Sequence, residues 1–131
     1  MANQKMVKYW FTYASRNLKI AKHSLALGSE YKEILGFHSQ QCAEMAIKGL
    51  MAFHRIRIVK THDLKMLAVE VEKIYPSLSS LIIKSAKPMT DLAVAYRYPD
   101  AELPPLTVRK AQSAIESAEK IYQACLKLIP R

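Results

Sequence analysis

Apolar residues recur at intervals of three and four along most of the 131-residue chain, which is the spacing of one face of an α-helix. The clearest runs lie over residues Gln4–Leu27 and Thr107–Leu128. Strict alternation of apolar and polar residues, which would indicate strands, is scarce, and the three glycines are isolated from one another. The pattern therefore predicts an all-α protein of four or five amphipathic helices.

Turn and capping residues predict where the first three helices begin and end. Gly28 is expected to end helix 1, and a second helix follows over residues 30–54. Thr61 is the expected N-cap of helix 3, which would make His62 its first helical residue. Pro76 is expected to end that helix, because proline cannot continue it.

Prolines divide the second half of the chain. A fourth helix is predicted from Ser77, with Pro88 kinking or splitting it. The stretch "RYPDAELPPLT" then reads as a proline-rich loop before helix 5. Helices of this length joined by short loops indicate an up-and-down bundle, and the chain length suits a single domain over residues 1–131.

Two helix faces carry apolar residues beyond the main stripe. Helix 1 has a second row at intervals of seven, formed by Met6, Tyr13, Ile20 and Leu27. The second side of helix 2 mixes the apolar Phe37, Ile47 and Met51 with the polar Gln40, Glu44 and Lys48. We expect the first row to meet a second chain in part and the mixed face to line an interface or a cleft. The alternative for the mixed face is scattered surface hydrophobes.

The positive charge of the chain is uneven. The formal net charge is +9, and residues 1–60 hold ten Lys and Arg against three Asp and Glu, a net +7. A basic half indicates an anionic partner such as nucleic acid, a nucleotide or an acidic protein surface. The alternative is a solvated basic face without a partner.

The sequence favours a cytoplasmic protein. No apolar run approaches the roughly 18 residues of a membrane-spanning helix, and the start has no secretory leader. Cys42 and Cys125 lie on apolar helical stripes without CxxC spacing. We expect both to be free thiols in a reducing compartment, with a single disulfide between them as the alternative.

Motifs for several common chemistries are missing. The isolated glycines form neither GxGxxG nor a Walker loop. His38 and Cys42 stand four residues apart on one helical face, but no further metal ligands are evident. His38 is therefore predicted to be a hydrogen-bonded core histidine, and neither a metal nor a cofactor is predicted.

The segment "RIRIVKTHDL", residues 55–64, holds the strongest candidate chemistry. Cleaving RNA without a metal requires a base for the 2′-hydroxyl proton, an acid for the leaving oxygen and a cation near the phosphorane. Histidine can act as base or acid, and arginine binds phosphate oxygens with a planar fork. His62 and Arg57 are therefore candidate catalytic residues, with Glu44 as a residue that orients one of them. A Glu44–Lys48 helix pair is the alternative for this glutamate.

A single Arg–His pair supplies only one imidazole and one guanidinium, whereas the reaction needs a base, an acid and a cation. Two copies facing each other across a twofold axis would supply two imidazoles and two guanidiniums, so a homodimer is expected. The predicted RNA- or nucleotide-binding residues around such a cleft are Lys48, Arg55 and Lys60.

A second candidate binding pair follows helix 4. Tyr98 would stack on a base and Arg97 would hold a phosphate. The alternative is that Tyr98 packs on the bundle and Arg97 pairs with Asp100.

Taken together, these motifs resemble the HEPN domain family in its minimal stand-alone prokaryotic form. They are the first helix around Trp10, "HSQQCAEMAIKGLM" in helix 2, "THDLKML" opening helix 3, "YRYPD" after helix 4, and the alanine-rich last helix. The resemblance covers nearly the whole chain. It implies a four- to five-helix bundle, commonly a homodimer, that associates with nucleotides or RNA. It also implies frequent pairing with a small nucleotidyltransferase in toxin–antitoxin systems.

Many HEPN proteins resemble metal-independent endoribonucleases with an R-x4-6-H motif and a polar residue in the second helix. Arg57 and His62 match it with four intervening residues, Arg55 would match with six, and Glu44 matches approximately. Toxins of the nucleotidyltransferase-paired group often carry a tyrosine two residues after the histidine, which the partner modifies. Leu64 stands there in this chain. Two functions therefore stay open: an RNA-cleaving, toxin-like enzyme, and a non-catalytic module that binds a nucleotide or a nucleotidyltransferase.

Overall fold

The computed structural model describes residues 4–97 and 107–130, which form five α-helices and one short 3-10 helix. In chain order these are α1 (Gln4–Leu27), the 3-10 helix (Ser29–Tyr31), α2 (Lys32–Phe53), α3 (Leu64–Glu72), α4 (Pro76–Arg97) and α5 (Val108–Lys127). These residues include no β-strand, and the all-α prediction is confirmed. No helix in this part of the chain is both long and apolar enough to cross a membrane.

Helix α2 is the central helix and packs against α1, α3, α4 and α5. Its two glycines let neighbouring helices approach closely. A Cβ atom at Gly36 would overlap the Leu92 side chain of α4, and one at Gly49 would lie 2.8 Å from the Phe11 ring of α1. Helix α2 consequently buries residues around most of its circumference, including polar ones.

The stripes predicted for the first and last helices face the core. The buried apolar residues of α1 are Val7, Phe11, Ala14, Leu18 and Ala21. Those of α5 are Ala111, Ala114, Ile115, Ala118, Ile121 and Cys125. Burial of the larger side chains among these, such as Leu18 and Ile121, stabilises the fold by roughly 1.5–3 kcal/mol each. The small alanines of α5 allow its backbone to lie close to the other helices.

Two predicted helix ends are confirmed by their capping geometry. Helix α1 stops before Gly28, whose backbone φ of +112° is readily adopted only by glycine. Helix α5 has Thr107 as its N-cap, and the Thr107 hydroxyl accepts a hydrogen bond from the Lys110 amide at 3.1 Å.

The start of α3 differs from the prediction. Asp63, and not Thr61, is the N-cap, because the Asp63 carboxylate accepts a hydrogen bond from the Lys65 amide at 2.9 Å. The Thr61 hydroxyl instead accepts one from the Asp63 amide at 3.1 Å. Both side chains can bond to nearby backbone amides, and Thr61 does so two residues earlier in the chain. His62 therefore precedes the helix and is not its first residue.

The prolines also act differently from the prediction. Helix α3 ends at Glu72, and Pro76 is the first residue of α4, a position where its missing N–H has no helical partner to lose. Helix α4 continues through Pro88, so of the two predicted effects the split is wrong, whereas a kink at Pro88 stays a prediction. The proline-rich loop predicted before α5 lies largely at residues 98–106, outside the described residues.

Candidate active site

The chain between α2 and α3 carries four of the eight predicted site residues, Arg55, Arg57, Lys60 and His62. Helix α2 ends with two hydrogen bonds, from the Arg55 amide to the Ala52 carbonyl at 3.1 Å and from the Ile56 amide to the Met51 carbonyl at 2.9 Å. This ending places Arg55 in the left-handed region, at φ +56°. Glycine is the usual residue there, and another residue costs roughly 1 kcal/mol. The cost favours a functional reason for the arginine.

Exposed cations alternate with partly buried aliphatic residues in this segment. Ile56 and Ile58 pack against the core, whereas Arg55, Arg57 and Lys60 are exposed. Within residues 4–97 and 107–130, Arg57 makes no hydrogen bond or ion pair. The segment therefore presents three cationic side chains to solvent, as phosphate binding requires.

His62 is exposed but held in a fixed orientation. Its Nδ1 lies 3.0 Å from Glu44 Oε1, while 67% of the His62 side chain is accessible to solvent. When the Glu44 carboxylate is ionised it only accepts hydrogen bonds, which makes Nδ1 the donor and leaves the free lone pair of the neutral ring on Nε2. Gln40 Nε2 donates to the His62 carbonyl at 2.9 Å and fixes the backbone as well.

Glu44 is buried and uses both of its oxygens. Oε2 lies 3.0 Å from Lys48 Nζ, and the side chains of Glu44 and Lys48 are only 6% and 8% exposed. The Lys48 ammonium also lies 5.9 Å from the centre of the Trp10 ring of α1. The pair predicted as the alternative does form, but in the interior. A buried ion pair contributes little net stability, because desolvation offsets the attraction. The burial of Lys48 is therefore better explained by the effect of its charge on the Glu44 carboxylate than by a gain in stability.

The mixed face of α2 is covered within the chain itself. Ile47 and Met51 are fully buried, so the alternative of scattered surface hydrophobes does not hold for them. Gln40, Glu44 and Lys48 lie at intervals of four on this face, and that spacing was visible in the sequence. The contact of Lys48 with Trp10 was not predicted, since the two residues lie on different helices.

The other predicted binding residues have different outcomes. The burial of Lys48 argues against its predicted direct contact with RNA. Arg55 and Lys60 are accessible, as their predicted role requires. Arg97 is the last residue of α4, but its side chain, like the whole of Tyr98, lies outside the described residues.

His38 is hydrogen-bonded, as the sequence predicted, but it is half-buried and not a core residue. Its Nδ1 lies 2.6 Å from Asn17 Oδ1, and the Asn17 amide nitrogen donates to the Tyr13 carbonyl at 2.9 Å. Burial lowers the pKa of His38 below its usual 6.5. Across the two described stretches of chain, no group of three or more His, Cys, Asp or Glu side chains is placed to hold a metal ion.

Both cysteines are buried free thiols, and the alternative disulfide is not formed. Burial raises the pKa of Cys42 to about 12 and also raises the pKa of Cys125. Because the thiolate is the reactive form, neither residue is suited to be a nucleophile.

The helical bundle and its histidine-bearing loop define a HEPN-type domain, and comparison with known proteins agrees. The sequence matches the family described as HEPN domain over residues 7–128, so the chain belongs to this family. HEPN domains commonly form dimers. No curated protein matches the chain.

Two solved structures are similar over nearly their full length. TT1696 from Thermus thermophilus has 27% sequence identity and a TM-score of 0.80, covering 94% of this chain and 98% of that one. ST0689, an archaeal HEPN homologue, has 26% identity and a TM-score of 0.70, covering 95% and 98%. Both support the assignment of the fold.

Proposed function

We propose that this HEPN protein is a metal-independent endoribonuclease of the toxin–antitoxin type, with His62 and Arg57 as its catalytic residues. The observation that carries the proposal is the 3.0 Å hydrogen bond from His62 Nδ1 to Glu44 Oε1, made by a side chain that is 67% exposed. A carboxylate that fixes one ring nitrogen leaves the other available for proton transfer. A loop histidine without such a partner would sample many orientations and lose the advantage of a positioned catalyst.

In the proposed reaction, His62 Nε2 removes the proton from a ribose 2′-hydroxyl. The 2′ oxygen attacks the adjacent phosphorus and forms a new P–O bond, while the bond from phosphorus to the next nucleotide's 5′ oxygen breaks. An acid protonates that leaving oxygen, giving a 2′,3′-cyclic phosphate and a 5′-hydroxyl. Arg57, on the same loop, stabilises the negative charge that builds up on the phosphorane oxygens. DNA lacks the 2′-hydroxyl and is not a substrate.

The reaction uses both a base and an acid. One protomer offers a single exposed imidazole on this loop, that of His62, since the half-buried His54 ring is hydrogen-bonded to the Tyr75 hydroxyl at 2.8 Å. We therefore propose that the protein, as one domain over its whole length, acts as a homodimer. His62 of one copy is the base and His62 of the other protonates the leaving oxygen. The row formed by Met6, Tyr13, Ile20 and Leu27, which is exposed on α1, is the candidate contact surface between chains.

Exposed cations beside the pair would hold the RNA strand. Arg55 and Lys60 flank Arg57 on the loop and are open to solvent. Phosphate contacts of this kind position a strand without reading its sequence. Arg97 and Tyr98 stay predictions for a further phosphate and a stacked base.

A specific observation favours a second candidate function, a non-catalytic module that binds a nucleotide or a nucleotidyltransferase. Leu64 occupies the position of the tyrosine that the nucleotidyltransferase modifies in related toxins, and it is a core residue with 1% exposure. A partner enzyme would find no modifiable side chain there. If the protein is instead the toxin-like enzyme, a small nucleotidyltransferase stays its proposed antitoxin partner, with any modified residue at a position other than Leu64. The proposed location is the cytoplasm, where free thiols persist.

Incubation with RNA in the presence of a chelator tests the proposal. We expect the wild type to produce 2′,3′-cyclic phosphate ends, and His62→Ala and Arg57→Ala each to lower the rate at least roughly 100-fold. His23→Ala and Arg109→Ala are matched controls, because they remove an exposed histidine on α1 and an exposed arginine on α5.

The outcomes separate the two candidate functions. Cleavage that survives His62→Ala would refute the catalytic assignment. RNA or nucleotide binding without any cleavage would favour the non-catalytic module.

A further inference from the structure

We propose that Lys48 is a positioning residue that keeps His62 Nε2 free of a proton, and that it does not contact RNA. Its importance for catalysis rests on the proposed function. The proton position itself can be measured without RNA or activity.

Two hydrogen bonds connect the side chains of Lys48, Glu44 and His62 in that order. Glu44 stands between the other two, with Oε1 at 3.0 Å from His62 Nδ1 and Oε2 at 3.0 Å from Lys48 Nζ. The two ends differ in exposure, since the His62 side chain is 67% accessible and the Lys48 side chain 8%. Lys48 is therefore out of reach of a bound phosphate, whereas His62 is not.

The charge of Glu44 has to be compensated, because an isolated carboxylate in the protein interior is strongly disfavoured. With Lys48 present, the ammonium balances the carboxylate, and His62 can take part as a neutral donor through Nδ1. The other cations on the loop, Arg55, Arg57 and Lys60, are exposed. The half-buried His54 is hydrogen-bonded to the Tyr75 hydroxyl, and the Asp63 carboxylate is already bonded to the Lys65 amide. Lys48 is thus the buried counter-charge of Glu44.

Removing the Lys48 charge leaves two ways to compensate Glu44. In the first, His62 takes up a proton and becomes an imidazolium paired with the carboxylate. In the second, Glu44 itself is protonated and donates its proton to His62 Nδ1, which moves the ring proton to Nε2. In both cases Nε2 carries a proton and cannot act as the base.

The location of the proton on His62 can be read from the nitrogen-15 signals of its ring. At about pH 7.5 we expect the wild type to have a protonated Nδ1 and an unprotonated Nε2, and Lys48→Met to have a protonated Nε2. Lys48→Arg keeps the charge and should retain the wild-type pattern. His62→Ala assigns the signals, and the exposed His23 is an internal reference that should not change.

Lys48→Gln serves as a second test variant if Lys48→Met does not fold. Lys48→Gln keeps a hydrogen-bond donor toward Glu44 without the charge, and we expect it to protonate Nε2 in the same way. An unprotonated Nε2 in folded Lys48→Met or Lys48→Gln would overturn the inference. So would a protonated Nε2 in the wild type.

The RNA assay separates positioning from direct contact. For Lys48→Met we expect a cleavage rate lowered roughly 10-fold near neutral pH, with the rising limb of the pH–rate profile moved to higher pH. RNA affinity should be unchanged, and weaker binding with an unmoved profile would instead assign Lys48 to direct contact. Absence of cleavage in the wild type would remove the proposed function, whereas the NMR result would still decide the role of Lys48.

Discussion

Arg55 combines a strained backbone with an exposed cationic side chain. Its φ of +56° suits glycine, and holding an arginine in this conformation lowers the free energy of unfolding by roughly 1 kcal/mol. We predict that Arg55→Gly raises the free energy of unfolding by about 0.5–1 kcal/mol in urea titrations and weakens RNA binding. Arg55→Ala is the control, since it removes the charge and keeps the strain. A gain in stability with alanine as large as with glycine would contradict the backbone explanation.

His38 should make the stability depend on pH. Its pKa is lowered by burial from 6.5, so between the two values the unfolded chain binds more protons than the folded one. The stabilisation is complete above pH 6.5 and is lost as the pH falls through the folded pKa. We predict a smaller free energy of unfolding at about pH 5 than at about pH 7.5, and a smaller difference in His38→Gln. His23→Gln should behave like the wild type, and an equal pH dependence in His38→Gln would refute the assignment.

At the scale of the helices, a helix end could be predicted from the sequence only where a single residue was able to cap it. Helices α1 and α5 were predicted well, because a long periodic stripe ends at Gly28 in one and begins after Thr107 in the other. The start of α3 was not, because Thr61 and Asp63 can both cap a helix. The bond from Gln40 to the His62 carbonyl holds that residue outside the helix, and it depends on a contact with α2 that local sequence does not reveal.

Close approach of α2 and α4 should make Gly36 sensitive to substitution. An alanine Cβ there would overlap Leu92 and lie 2.8 Å from its backbone carbon, so the helices would have to separate. We predict that Gly36→Ala lowers the free energy of unfolding by about 1–3 kcal/mol, despite the better helix propensity of alanine. Gly49→Ala is the matched control. Its nearest atoms belong to the side chains of Phe11 and Trp10, at 2.8 Å and 3.1 Å, and not to a neighbouring backbone, so it should cost less. Equal stability of the two variants in urea titrations would contradict this account.

The assembled molecule explains why only part of the site was visible in the sequence. Arg57 and His62 are close in the chain, so their spacing alone suggested a pair. Glu44 lies 18 residues before His62, and their hydrogen bond exists only because α2 packs beneath the loop. The burial of Lys48 likewise follows from the position of α1 over α2. In our proposal, Arg57 and His62 contact RNA, and their pairing is visible in the local sequence. Glu44 and Lys48 position His62, and their role depends on long-range packing that the sequence does not reveal.

The uneven charge of the whole molecule leads to a test of where RNA binds. Each phosphate contact to a single strand contributes about 0.7 to the slope of log affinity against log salt. We predict that the triple variant of Arg55, Arg57 and Lys60 to alanine lowers this slope by about 2 in fluorescence titrations. The triple alanine variant of the exposed Lys84, Arg109 and Lys120 removes the same charge from the other half and should change the slope little. Equal losses in both variants would mean that binding follows total charge and that the loop between α2 and α3 is not the binding surface.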